Sequence, residues 1–211
     1  MAPEDRRAAL ISATVPLLHE HGLDVSTRQI ASAAGVAEGT IFGVFKDKNS
    51  LVVAALAHAL DPQPTLAALA AIDPAMDLRS RLTAAADLIH QRFAANARLM
   101  SAARTLALCT GNQHVIALRM AQSRERLQAA ITELIEPDAA ALRRSPGTTA
   151  RLLLMFAGAN TYGPFGDPEG FNGAEIVSLL LDGLLVVTGN HDNPLVIPFI
   201  TRAPRAGRRD E

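Results

Sequence analysis

Apolar residues at helical spacing, punctuated by glycine and proline, constrain this chain more than any other feature. Leu10, Ile11, Thr14, Leu17 and Leu18 repeat at i, i+1, i+4, i+7 and i+8 on one helix face until Gly22 stops the pattern. A second helix starts at Ser26: in Ser-Thr-Arg-Gln the hydroxyl stands at the N-cap and Gln29 at N3, a capping box that satisfies amides from both sides. Ile30, Ala31 and Ala34 form its inner face, and Gly35 takes the C-terminal position where a positive φ is least strained. A third short helix is expected from Glu38 to Phe45, burying Ile41 and Phe45 one turn apart. A fourth is expected from about Lys48 until Pro62 and Pro64 forbid continuation. Four short helices thus fill about the first 60 residues.

The stretch from Asp61 to Asp77 carries Pro62, Pro64 and Pro74 and reads as a linker with at most one helical piece. Beyond it the helices lengthen. Leu78, Leu82, Ala85, Ile89 and Phe93 form one stripe, and a shorter element is expected around Leu99 to Cys109. A long helix then keeps Ile116, Met120, Ser123, Leu127, Ala130 and Leu134 in phase until Pro137. Thr148 to Tyr162 is apolar nearly all round, and a helix of that kind is covered on more than one face. After a turn-rich loop the last helix opens with Asn172 and Glu175 as a cap pair and runs through Ile176, Leu180, Gly183, Leu184 and Val187. The expected class is all-α. Residues 1–61 form an N-terminal unit of three to four short helices, residues 62–190 a larger helical domain, and residues 191–211 an Arg-ended tail, much of it expected to be mobile.

Composition narrows the function classes. With 49% hydrophobic and 19% charged residues the chain has ample material for a core, and abundant Ala and Leu with one Tyr and no Trp favour helix over sheet. A net charge of −1 provides no bulk field toward nucleic acid or an acidic membrane, so any anion site is local. The single cysteine, Cys109, excludes an intrachain disulfide and fits a reducing compartment. The charged N-terminus lacks the apolar core of a signal peptide and no membrane-length apolar run occurs, so a cytoplasmic protein with no membrane partner is expected. His19 and His21 lie about 200° apart on a helix and cannot chelate one ion together. No GxSxG, HExxH or CxxC pattern accompanies His90, Cys109 or His114, so no metal, cofactor or enzymatic activity is expected.

Two short helices joined by a turn containing Gly35 form a helix-turn-helix arrangement, whose second helix enters the major groove of double-stranded DNA. Gly39 and Thr40 are small enough to bring that helix close to DNA, and Thr40 keeps a hydroxyl for a phosphate or a base. Lys46 and Lys48, the only lysines in the chain, flank the start of the next helix, where lysine charge and helix dipole converge on a phosphate. Thr27 and Arg28 face the opposite groove wall, and Arg28 suits either a phosphate or a guanine.

The segment STRQIASAAGVAEGTIFGVFKDKNSL resembles the DNA-binding region of TetR-family transcriptional regulators, and the likeness extends back through RRAALISATVPLLHEHG, roughly residues 6 to 56. Its IA, AGV, GT, F and K..L elements sit at the family's spacing. Three positions depart from the family's pattern. Phe42, on the DNA-facing surface, stands where a tyrosine hydroxyl usually holds a phosphate, and Val44 stands where histidine is common. Ala37 replaces the usual N-cap serine, which costs the recognition helix about 1 kcal/mol. Within residues 1–60, Arg6, Arg7, Arg28, Lys46 and Lys48 face Glu4, Asp5, Glu20, Asp24, Glu38 and Asp47, a weak electrostatic footprint that leaves room for modest affinity or for help from Arg202, Arg205, Arg208 and Arg209.

The resemblance implies a homodimeric repressor, each subunit reading one half-site of a palindromic operator, released by an unidentified small apolar effector. His90, Phe93, Met100, Cys109, His114, Met120, Phe156 and Asn160 are candidates for lining its cavity, although each alone also suits core packing. Gly158 and Gly183 let helices approach closely, which favours a four-helix interface built from two chains. The alternative is a dimeric helical small-molecule-binding protein whose DNA-binding head is weakened by Phe42 and Val44.

Overall fold

The computed structural model describes residues 3–110, 113–162 and 171–184, which are helices and turns with no strand among them. The segment after the eighth helix, Val187 and the Arg-ended tail lie outside the described residues. Helix α1 (Pro3–His21) stops at Gly22, whose φ of 59° leads into a single 3-10 turn, Gly22–Asp24. Helix α2 (Thr27–Ala33) carries the capping box: Ser26 Oγ accepts from the Gln29 amide at 3.2 Å, and Gln29 Oε1 accepts from the Ser26 amide at 2.8 Å.

Helix α3 (Glu38–Phe42) is shorter than expected. Gly43 disfavours continuation, and the amides of Val44 and Phe45 both donate to the Ile41 carbonyl, at 3.0 and 2.8 Å, in a tightened final turn. Phe45 therefore reaches the core from a turn rather than from the helix. Asp47 then caps α4 (Lys48–Ala59), accepting from the Ser50 amide at 2.7 Å. The Pro-rich connection contains one helix, α5 (Gln63–Ala70).

The two elements expected between Leu78 and Cys109 are one helix, α6 (Leu78–Thr110), of 33 residues. Nothing in that stretch interrupts it, since it contains neither glycine nor proline. Its stripe also runs through without a break. Leu82, Ala85, Ile89, Arg92, Asn96, Leu99, Ala103 and Leu106 follow the 3-4 alternation, and only Arg92 and Asn96 in the middle are polar. Asp77 caps the helix start, accepting from the Ser80 amide at 3.0 Å and from its hydroxyl at 2.7 Å; these bonds hold the carboxyl below its ordinary value of 3.8.

Helix α7 (Gln113–Ile135) ends before Pro137 in a 3-10 segment, Glu136–Ala141, and α8 (Pro146–Tyr162) follows a Ser145 cap. Helix α9 (Gly173–Leu184) opens with the expected pair: Asn172 Oδ1 accepts from the Glu175 amide at 3.0 Å, and Glu175 accepts from the Asn172 amide at 2.9 Å. It is tied to α6 at both ends. The Gly173 amide donates to Asp87 at 3.0 Å, so close that a Cβ at Gly173 would collide with that carboxylate, and Arg79 pairs with Asp182 at 2.9 Å.

Two apolar cores result. One gathers Leu82, Ala86 and Ile89 of α6 with Leu127 and Ile131 of α7, Leu153 and Ala157 of α8, and Val177 and Leu181 of α9. The other joins Leu10, Leu18, Ile30, Ile41, Phe45, Leu51 and Leu56 of the head to Leu99, Ala102, Ala103 and Leu106 of α6. The last third of α6 is thus part of the head. Among the described residues no helix is long and apolar enough to cross a membrane.

Candidate nucleic-acid interface and ligand cavity

The turn between α2 and α3 is closed by the chain's own hydrogen bonds. Gly35 adopts φ 65°, its amide donates to Ser32 at 3.2 Å, and the Val36 amide donates to Ala31 at 3.0 Å, the paired bonds of a Schellman ending. Ile30, Ala31, Ile41 and Phe45 are buried beneath the two helices, and the Arg7 guanidinium lies 4.3 Å from the Phe45 ring centroid, pinning α1 onto the turn after α3. This scaffold leaves Arg28, Gly39, Phe42 and Lys46 exposed, and Thr27, Thr40 and Lys48 half-buried. Phe42 keeps 54% of its surface in solvent.

Two of these residues have partners within the chain. Thr27 donates its hydroxyl to the Glu38 carboxylate, joining the first turn of α2 to the first turn of α3. That bond steadies α3, whose N-cap, Ala37, offers no side-chain acceptor. Lys48 donates its ammonium to the Leu23 carbonyl at 2.9 Å, fastening α4 to the 3-10 turn. Gly39 differs from Gly22 and Gly35 in having no positive φ, and, as at those two, a Cβ built there would meet nothing within 4 Å. The chain's own packing does not require a glycine at 39.

Between the two cores lies a cavity of about 230 Å³. Three helices line it at helical spacing: Arg92, Phe93, Asn96 and Met100 from α6; Met120, Ser123, Arg124, Leu127 and Gln128 from α7; Arg151, Leu154 and Met155 from α8, with Leu60 closing the head side. Arg92 also donates to the carbonyls of Leu60 and Asp61, at 2.6 and 2.9 Å, and so holds the C-terminal end of α4. A wider, open depression of about 580 Å³ shares Leu60, Met120 and Ser123 with the cavity and is bounded by Val53, Leu56 and Ala57 of α4.

Residues 10–55 match the family described as bacterial regulatory proteins, tetR family. The match places the head, and not the rest of the chain, with the DNA-binding region of that family. Several solved structures share this fold. A transcriptional regulator from Rhodococcus sp. Rha1 is 22% identical at a TM-score of 0.59, covering 89% of this chain and 100% of that one. A transcriptional regulator of the TetR/AcrR family from Thermobifida fusca YX-ER1 is 22% identical at 0.60, covering 85% and 98%. A TetR transcriptional regulator from Streptomyces coelicolor is 22% identical at 0.54, covering 86% and 99%. At these identities the likeness concerns the fold alone, and it covers the larger helical domain as well as the head.

Of the pocket residues expected from sequence, Phe93, Met100 and Met120 line the cavity. His90, half-buried on α6, is not among its lining residues; its Nδ1 is buried without a hydrogen-bond partner. His114 is exposed on α7, and Phe156 is 46% exposed on α8, away from the cavity. The side chains of Cys109 and Asn160 lie outside the described set. Gly158 faces Phe93 of its own chain, 3.5 Å from where a Cβ would stand, whereas Gly183 faces open space. Sequence reasoning missed Arg92, Asn96, Arg124, Gln128 and Arg151. The available signal was spacing, since Arg124 and Gln128 lie one and two turns beyond Met120.

Proposed function

We propose that this protein is a non-enzymatic, homodimeric transcriptional repressor that places α3 in the major groove at each half-site of a palindromic operator and leaves it when a small, largely apolar effector fills the cavity. The observation that carries this reading is Gly39. A glycine inside a helix costs about 0.5–1 kcal/mol relative to alanine. Here neither backbone conformation nor packing calls for one. A partner backbone pressed against α3 does call for one, and exposed Arg28 and Lys46 flank that surface. Thr40 and Phe42 complete the contact surface, while Thr27 and Lys48 serve it from positions already fixed within the head.

Exposed Met155, Phe156 and Leu179 on α8 and α9, with the open side of Gly183, support a dimer interface on those two helices. Release is a population shift: the effector prefers a conformation in which the two recognition helices no longer match the half-site spacing. Arg92 supports the coupling, because the same guanidinium that lines the cavity holds the end of α4.

The test is retardation of DNA from the gene's own upstream region across a salt series. Binding is expected to weaken by a log–log slope of about 0.9 per phosphate neutralised. No retardation even at low salt overturns the reading. That result favours the alternative of a ligand-binding protein without operator contact, which the internal engagement of Thr27 and Lys48 would then explain.

A further inference from the structure

The cavity's polar groups separate into two sets. Arg92 is held by the Leu60 and Asp61 carbonyls, the Asn96 amide donates to the Arg92 carbonyl at 2.9 Å, and the Gln128 amide donates to the Gly147 carbonyl at 3.4 Å. These three serve the fold. Arg124 and Arg151 form no hydrogen bond or ion pair among the described residues, although both line the cavity from adjacent helices. Both are exposed, which puts their charge at the mouth. The lining contains no Asp or Glu, so nothing in the wall neutralises them. Deeper, Phe93, Leu127 and Leu154 supply an apolar floor.

We infer that the ligand of this cavity is a small carboxylic acid in its ionised form, its apolar body on the Phe93–Leu154 floor and its carboxylate bound at the mouth by Arg124 and Arg151. This rests on the cavity being the effector site and goes further by giving the effector a charge. Guanidinium and carboxylate match in planar geometry and pair through two parallel hydrogen bonds, which no alcohol or amide reproduces. Charge opposition here is unshared, so the acid gains what the wall lacks. At about 230 Å³ the cavity lies below the volume of drug-sized sites, which restricts the body to a single ring or a short chain.

The test uses full-length protein without DNA, titrated calorimetrically with benzoate, phenylacetate, hexanoate and octanoate, and with the corresponding neutral amides. At least one acid is expected to bind and to raise the melting temperature, with its amide at least tenfold weaker. Arg124→Gln and Arg151→Gln are each expected to weaken the acid by tenfold or more while leaving the amide's affinity and the unliganded melting temperature unchanged. Failure of all the acids, equal binding of acid and amide, or wild-type acid affinity in both variants overturns the proposal. A parallel titration on the DNA complex separates the two readings. An acid that binds through both arginines but leaves the complex intact upholds the site and removes its effector role. Release by a neutral compound that both variants bind normally upholds the effector role and removes the anion.

Discussion

Replacing Gly39 by alanine isolates the surface of α3 from the stability of the head. The added Cβ points into open space, with nothing within 4 Å, and the backbone at 39 already has an ordinary negative φ. The folded state therefore accepts the methyl group without strain, while the unfolded chain loses freedom. The net effect is a gain of about 0.5–1 kcal/mol. In a protein of this size that corresponds to a rise in melting temperature of about 1–4 °C. In the docking proposed above, the same methyl group stands where DNA approaches the helix backbone. Forcing an extra methyl into a close contact costs about 1–3 kcal/mol, or roughly a 5- to 150-fold loss of operator affinity. Fluorescence anisotropy on labelled operator, beside differential scanning fluorimetry, reads both quantities. Operator affinity unchanged in a stabilised Gly39→Ala would refute the close approach. A fall in melting temperature would refute the open environment on which the reasoning depends.

Lys46→Ala is expected to lower the salt slope of operator binding by about one phosphate's worth with stability unchanged, since Lys46 is exposed. Lys48→Ala should lower the slope and also cost about 1–2 kcal/mol in urea unfolding, because its ammonium holds the Leu23 carbonyl. Gly173→Ala should lower stability by about 1–3 kcal/mol by thermal melt, since its Cβ displaces the Asp87 carboxylate that caps α9; an unchanged melt would mean that α9 shifts freely on α6. Asp182 is held below its ordinary value of 3.8, first by the Ser178 hydroxyl and then by Arg79. A depressed carboxyl stabilises the fold above its unfolded value and loses that contribution as pH falls through its folded value, so Asp182→Asn should flatten the stability–pH curve below about pH 4 and leave its shape at neutral pH unchanged.

What was legible in the sequence is what near neighbours decide. The Ser26 box, the Gly22 and Gly35 endings and the Asn172–Glu175 pair each depend on residues within about five positions, and each appears as the local chemistry requires. Stripe reading failed at α6 for a physical reason. Arg92 and Asn96 occupy the two stripe positions where the helix crosses from one core to the other, so the polar break suggested an end of helix when it marked the cavity. The partners of Thr27 and Lys48 lie 11 and 25 residues away, and no periodicity reports them. Arg124 follows Met120 by one turn, but only the packing of α7 beside α8 brings it and Arg151 to one opening.

The continuity of α6 bears on how a ligand in the cavity acts on the head. At 1.5 Å per residue its 33 residues span about 50 Å, with the first half locked into the body core and the last third into the head core. Both cores are close-packed, so a ligand seated between them cannot be absorbed by local compression; the helices lining the cavity move as units. Shifting such a two-state element from mostly bound to mostly released requires the ligand to prefer one state by about 5.5 kcal/mol. Apolar burial on a floor that exists in both states contributes little to that difference. A carboxylate that both arginines reach in only one relative placement of α7 and α8 contributes much more, because charge-assisted hydrogen bonds are worth about 1.5–3 kcal/mol each. Under the proposal of a carboxylate effector, charge at the mouth, rather than grease on the floor, does the switching, and a neutral analogue with the same body should fill the cavity weakly while leaving the operator occupied.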